Sequence, residues 1–318
     1  GRNHALGLLQ RAGVKFDMGR TEVDIPLHVT DIDLRQIELP RALRREHAGN
    51  CIQDWVDLRK RKPPLISGNN QHPYSSHDED LLALLFLFNP QTPLRISQLD
   101  PRTLQEVGNA LWSDGTSPNS TKAFLEIGGF DGVTESNTAL FERCLNWTGV
   151  MVEANPFAYS HLVTAGRVHS DLVHAAPTCN HSTSVRMMKH KYTSASVVKN
   201  REINGNTPGD GKSAPVPCVS LTDILRGIGR PHIDFFSLDV EGSEEVVLST
   251  VSFDRLSLPF LIVESSNRDC GVICPKRDKV RYRMAAAGYI FRDGYIAKSD
   301  LFWNPGSRPS EGRSKTPS

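Results

Sequence analysis

The 318-residue chain lacks an apolar run long enough to cross a bilayer: the longest, Leu81 to Phe88, falls far short of the roughly 20 residues a spanning helix needs. Charge of one sign is missing too. The 37 basic and 36 acidic residues leave a formal charge of +1, so no overall field draws the protein to nucleic acid or to an anionic membrane. Cysteine is scarce, with six residues at 51, 144, 179, 218, 270 and 274. That is too few and too scattered for a small disulfide scaffold, although an even number is compatible with an oxidising compartment. Cys270 and Cys274 in "CGVIC" are close enough to close a small local loop, and no paired CxxC or neighbouring histidine spacing points to zinc. The sequons at Asn119, Asn146 and Asn180 carry little weight, since a chain this rich in Asn, Ser and Thr contains roughly two by chance. The compartment stays open between the cytoplasm and the secretory-pathway lumen. A start at Gly1 in place of methionine fits an upstream signal or anchor that has been trimmed.

Along the chain, residues 1–71 mix charge clusters with short apolar pieces and are expected to form an N-terminal extension or small subdomain. Within them "RKRKPP" at 59–64 reads as a solvated hinge. From Ser76, "SHDEDLLALLFLF" places Ser, Asp and Glu ahead of apolar residues and predicts a side-chain-capped helix. After residue 124, strand-like and helix-like segments alternate: "AFLEI", "TESNTALFERCL", "GVMVEA", "DLVHAA", "HIDFFSLDV", "SEEVVLSTV", "PFLIVESS" and "KVRYRMAAAG". This βαβ series predicts an α/β, Rossmann-like fold with a mainly parallel, doubly wound sheet, its ligands outside the carboxyl ends of the strands. Residues 199–217 carry Gly and Pro without periodicity and are expected to form an insertion loop near that edge. The main domain is placed at 72–304 and a disordered tail at 305–318. No internal repeat is present.

The segment "FLEIGGFDG" raises the possibility of a cofactor cradle. A strand delivers Gly128 and Gly129 to its C-terminal end, where missing side chains let backbone amides approach a ligand. Phe130 and Asp131 follow in the loop, Gly132 begins the turn, and Ser136, Asn137 and Thr138 bring polar groups to the same space. Glu153 ends the next strand, where an acid is suited to accept both hydrogen bonds of a ribose diol. The dinucleotide spacing Gly-x-Gly-x-x-Gly is absent. Glu126 instead opens an acid-x-Gly-x-x-x-Gly pattern, which suits S-adenosylmethionine: that cofactor has no pyrophosphate but carries an ammonium that pairs with acids. A glycine loop with a purely structural role is the alternative. Further on, "SLDVEGSEE" sets Asp239 and Glu241 at a strand end, and "LIVESSN" brings Glu264 to the neighbouring one.

In this order, "FLEIGGFDGVTESNT", "LNWTGVMVEANP", "DFFSLDVEGSE" and "LIVESS" resemble the FkbM-like family of S-adenosylmethionine-dependent methyltransferases. "YSSHDEDLL" at 74–82 is similar to the "YSQ-x-GED" element that precedes the core in many members. The resemblance covers about residues 72–303. It implies a class I methyltransferase fold with a terminal antiparallel strand, and O-methylation of a hydroxyl on a sugar, glycan or other small molecule. It further implies that Glu126, Gly128, Gly129, Asp131 and Gly132 surround the methionine part of the cofactor, that Glu153 holds the ribose, and that Asp239 lies beside the reacting sulfonium. The sequence departs from the pattern at His77, which stands where the family has glutamine, and at Asp78.

Transfer to an alcohol needs a base, for which Asp239, Glu241 and Glu264 are the candidates, acting directly or through a divalent cation; no metal ligand set is predicted. His190 is an alternative base among the cluster His169, His174, His181 and His190, and "KYTSASVV" at 191–198 is a candidate acceptor-side loop. The rival class is an inactive methyltransferase-fold protein that binds partners in secretory-pathway trafficking, since fold alone does not carry activity. The acceptor and the oligomeric state are not legible in the sequence.

Overall fold

The computed structural model describes residues 15–17, 39–61, 72–91, 93–114, 121–178, 184–188, 213–265 and 274–306. An eight-stranded sheet runs through the molecule in the order β1-β4-β3-β2-β7-β8-β10-β9. Its centre is parallel: β4 (Ser170–His174), β3 (Thr148–Glu153), β2 (Ala123–Ile127), β7 (Phe235–Leu238) and β8 (Phe260–Glu264). Both edges are antiparallel, with β1 (Lys15–Asp17) on β4, and β10 (Ser299–Trp303) followed by β9 (Ile290–Arg292) beyond β8. The expected terminal antiparallel strand is therefore doubled, and a further one lies at the opposite edge. A separate hairpin joins β5 (Ser184–Met188) to β6 (Ser213–Pro217). Residues 213–217 thus belong to a strand and not to a loop, because Val216 and Met187 are buried with Ala176 and Cys218.

Side-chain alternation along the strands feeds two cores. Phe124, Met151, Phe235 and Ile262 face one layer, while Leu125, Val150, Val152, Phe236 and Val263 face the other. The first layer holds α1 (Ala48–Arg61), α2 (Glu79–Phe88), α3 (Pro101–Leu111), α4 (Ala139–Leu145) and α5 (Pro156–Leu162). On the second lie α6 (Leu221–Gly227), α7 (Glu244–Ser249) and α8 (Pro275–Ala286). This is the doubly wound α/β arrangement, and the reversal of strand order between β2 and β7 opens a crevice outside their carboxyl ends.

Local chemistry sets where the helices begin. Asp100 caps α3 by accepting the Thr103 amide at 2.7 Å, and Pro101 sits in the first turn, where no donor is lost. The expected side-chain cap of α2 is absent: Asp78 adopts a left-handed φ of 64° and its carboxylate turns to Arg59 at 2.7 Å. The helix expected within residues 134–145 starts only at Ala139, because Ser136, Asn137 and Thr138 are held by Glu126.

The N-terminal part of the chain contributes directly to the first core through Ile52, Trp55 and Val56 of α1. Its basic end is no solvated hinge: Arg59 to Arg61 are helical, Arg59 is largely buried among carboxylates, and residues 62–64 lie outside the described residues. A disulfide between Cys51 and Cys144, 93 residues apart, ties α1 to α4. Cys218 and Cys274 are each in a disulfide as well; Cys270, which could close a small loop with Cys274, lies outside the described residues, as do His181, His190, residues 191–212 and the tail from 307.

Closing so long a loop removes denatured-state entropy worth roughly 4–5 kcal/mol in the chain-entropy model. Replacing Cys51 and Cys144 together by serine is therefore expected to lower the unfolding free energy by several kcal/mol in denaturant titrations of oxidised protein. An unchanged midpoint would show that the bridge constrains nothing.

Candidate active site

An open crevice lies beyond the carboxyl ends of β2, β3, β4 and β7. Ile127, Gly128 and Phe130 follow from β2, Glu153, Ala154 and Asn155 from β3, Ala176, Pro177 and Thr178 from β4, and Asp239, Val240, Glu241 and Ser243 from β7, while Thr134, Glu135 and Met187 complete the wall. Gly128 cannot be replaced cheaply. Its φ is +84°, and a Cβ there would lie 1.7 Å from the carbonyl oxygen of Asp239, so its hydrogen side chain lets the two strand ends meet.

Glu126 sits one residue before the crevice on the face of the first core, so its carboxylate lies beneath the wall and not in it. It accepts the Asn137 amide at 2.7 Å, the Thr138 hydroxyl at 2.6 Å and the Ser136 hydroxyl at 2.9 Å. Burial pushes this carboxyl up, and Arg167, 3.8 Å away, opposes the shift. Arg167 is itself buried and donates to Glu142 at 2.6 Å, to the Gly132 carbonyl at 2.9 Å and to the Thr138 hydroxyl at 2.8 Å. Asn137 also donates to Ser237 Oγ of β7 at 2.9 Å. Glu126, Ser136 and Asn137 therefore build the underside of the cradle. Asp131 is likewise turned inward, accepting the Val133 and Thr134 amides, and Gly129, Asp131 and Gly132 stand behind the wall.

Glu153 reaches the wall as the strand spacing predicts. Its Oε2 accepts the Phe130 amide at 2.8 Å and its Oε1 the Asn155 amide at 2.6 Å, so it joins the ends of β2 and β3. Burial raises its pKa to about 7 against the pull of those two amides. Each oxygen keeps a lone pair for a ligand hydroxyl.

Asp239 also lines the crevice, with Glu264 hydrogen-bonded to it from β8, outside the wall. Burial, and then the charge of Glu264, push Asp239 well above the usual carboxylate range; burial raises Glu264 too. Of the two, Asp239 gains the more proton affinity, because the charge of Glu264 adds to its burial while the hydrogen bond from Asp239 pulls Glu264 the other way. Glu244 completes a group of three whose oxygens lie within 4.8 Å of one another, a set able to ligate a cation. It already has counter-charge, since Lys276 Nζ stands 2.8 Å from Glu244 Oε2, and its Oε1 accepts the Gly242 amide at 3.0 Å. Glu241 is exposed at the rim with a left-handed φ of 53°.

The profile of the methyltransferase FkbM domain matches residues 126–291, a little over half of the chain. The chain belongs to the FkbM methyltransferase family. Among solved structures, the FkbM chain is similar to a human methyltransferase 10 domain containing protein, at 10% identity over 71% of this chain and 81% of that one, with a TM-score of 0.37. It is also similar to precorrin-6y C5,15-methyltransferase from Geobacter metallireducens (12%, 58% and 80%, TM-score 0.30). A third is an O-methyltransferase from neocarzinostatin biosynthesis, in complex with S-adenosyl-L-homocysteine and 1,4-dihydroxy-2-naphthoic acid (11%, 60% and 52%, TM-score 0.31). No curated protein matches.

Of the residues predicted for this FkbM site, Gly128, Glu153, Asp239 and Glu241 share one wall. Sequence reasoning missed Glu135, Thr178 and Met187. Glu135 has a left-handed φ of 54° with no Gly or Asn to signal it, and Met187 arrives from the hairpin. His169 and His174 stand elsewhere, His169 beside Arg41 and His174 buried and stacked on Tyr159.

The raised pKa of Glu153 gives a sign to the pH dependence. Its contribution to stability is full below the unfolded value of 4.5 and is lost as pH rises through about 7. Wild-type protein is expected to lose roughly 3 kcal/mol relative to Glu153→Gln across that window, read from denaturation midpoints. Parallel pH profiles of the two proteins would refute it.

Proposed function

We propose that this protein transfers a methyl group from S-adenosylmethionine to a hydroxyl oxygen of a small-molecule or glycan acceptor. One observation carries the reading: among the described residues the crevice wall includes the carboxylates Glu135, Glu153, Asp239 and Glu241 and no Lys, Arg or His. Such a wall suits a cationic cofactor and repels a pyrophosphate. The apolar Ile127, Val152, Ala154, Ala175 and Met187 suit a flat base, and Glu153 at the end of β3 suits a ribose diol.

S-adenosylmethionine, when bound, supplies an electrophilic methyl on a sulfonium. The Gly128 turn and the carboxylates would hold its cationic end, which leaves alignment as the main contribution to rate. The Asp239–Glu264 pair, raised in proton affinity by burial, would take the proton that the acceptor hydroxyl gives up. Burial and the neighbouring Glu241 and Glu244 carboxylates raise the pair's affinity for that proton, while Lys276, paired with Glu244, tempers it. The disulfides support an oxidising compartment such as the secretory-pathway lumen.

Calorimetry is expected to detect binding of S-adenosylmethionine and none of a nicotinamide dinucleotide. Glu153→Ala should weaken the former roughly tenfold to a hundredfold. With an acceptor found by screening for released S-adenosylhomocysteine, Asp239→Asn should slow turnover by about 10²–10⁴. Folded protein that binds neither cofactor would sink the proposal.

A further inference from the structure

Three residues of α1 recur at every fourth position, Cys51, Trp55 and Arg59, and so share one face of the helix. Cys51 is bonded to Cys144 of α4. Trp55 Nε1 donates to Asp80 Oδ2 at 2.9 Å. Arg59 donates through Nη2 to Asp80 Oδ1 and through Nη1 to Asp78 Oδ1 at 2.7 Å, and its guanidinium lies 4.6 Å from the centre of the Tyr74 ring. The Ser75 hydroxyl adds a bond to Asp80 Oδ1 at 2.6 Å. Asp80 is fully buried, so the two α1 side chains supply most of the compensation without which its charge could not stay there.

These bonds hold Ser75, Asp78 and Asp80 against α1, and Tyr74 under the Arg59 guanidinium carries the hold to His72, whose ring stacks on it at 5.1 Å, so the segment reaches the crevice. The His72 carbonyl accepts the Glu135 amide at 2.7 Å, and Glu135 lines the crevice wall with a left-handed φ of 54°. A non-glycine residue keeps that conformation only where its surroundings hold it. At the other end of the segment, the His77 amide donates to Glu79 Oε2 at 2.8 Å, which folds the chain back toward α2. A continuous set of contacts therefore runs from the disulfide through Arg59 and Asp80 to the pocket wall. Apart from Cys144 and Glu135, its members lie outside residues 126–291, the part matched by the family profile.

We propose that Arg59 is a positioning residue for the cofactor pocket: by clamping residues 72–80 through Asp80 and Asp78, it holds Glu135 in the conformation that shapes the wall. The inference rests on the crevice being the S-adenosylmethionine site. Arg59 touches no ligand and acts only through the segment it holds.

The test uses the full oxidised chain, with calorimetric titration of S-adenosylhomocysteine and hydrogen exchange of the unliganded protein, both well below the melting temperature. Arg59→Gln is expected to bind roughly tenfold more weakly, with Arg59→Lys in between because it retains one charged contact. Exchange should quicken at residues 72–80 and, together with them, at the Glu135 amide. A purely structural Arg59 would lower the melting temperature while leaving affinity and Glu135 exchange unchanged, and that result overturns the proposal. If Arg59→Gln does not fold, Asp78→Asn removes only the more exposed of the two ion pairs; it is expected to weaken binding about threefold and quicken the same amides, and wild-type behaviour would again overturn the proposal. Wild-type protein that binds no S-adenosylhomocysteine would defeat the reading of the crevice and not the clamp, which the exchange result then decides alone.

Discussion

A carboxylate buried at the carboxyl end of the central strand is the constraint from which the site is built. Glu126 is 4% exposed and would be expelled or neutralised without partners. Its partners come from a single loop, Ser136, Asn137 and Thr138, with Arg167 crossing behind to tie that loop to Glu142 and to the Gly132 carbonyl. Satisfying one charge therefore fixes the path of residues 128–138, delays the start of α4 to Ala139, and leaves the amide of Phe130 free to meet Glu153. The glycine loop has its shape because of what lies under it.

Above that base the crevice selects by charge. Carboxylates from three places converge on it: Glu135 from the loop, Glu153 from β3, and Asp239 and Glu241 after β7. Burial costs each of them, and the structure answers differently at each. Glu153 takes two backbone amides, Asp239 is hydrogen-bonded to Glu264, Glu244 behind them takes Lys276, and Glu241 stays at the solvent rim. A bound cation would relieve the same cost, so the wall is complementary to positive charge before any ligand arrives.

The N-terminal part of the chain enters this arrangement through packing and not through the sheet's topology. Helix α1 is held by Cys51–Cys144 and by Trp55 in the first core, and its basic end compensates Asp80. A basic run followed by prolines looks like a hinge when it is read locally. Arg59 differs from Lys60 and Arg61 only in lying on the same helix face as Trp55, which is turned to the core.

The sequence by itself determined the βαβ alternation, the parallel centre of the sheet, and the strand ends that carry Gly128, Glu153 and Asp239, because hydrophobic periodicity and glycine punctuation act over a few residues. The same local signals place Glu126 at the end of β2, but which face of the strand its carboxylate takes depends on the layer that covers it. Only the tertiary structure decided that Glu126 lies under the cradle, that Asp239 and Glu264 are hydrogen-bonded across two strands, and that Arg59 serves a segment some 20 residues away. Each of these is a compensation of buried charge by groups distant in the chain. Such pairing is set by which elements stack against one another, and no spacing within a single segment encodes it.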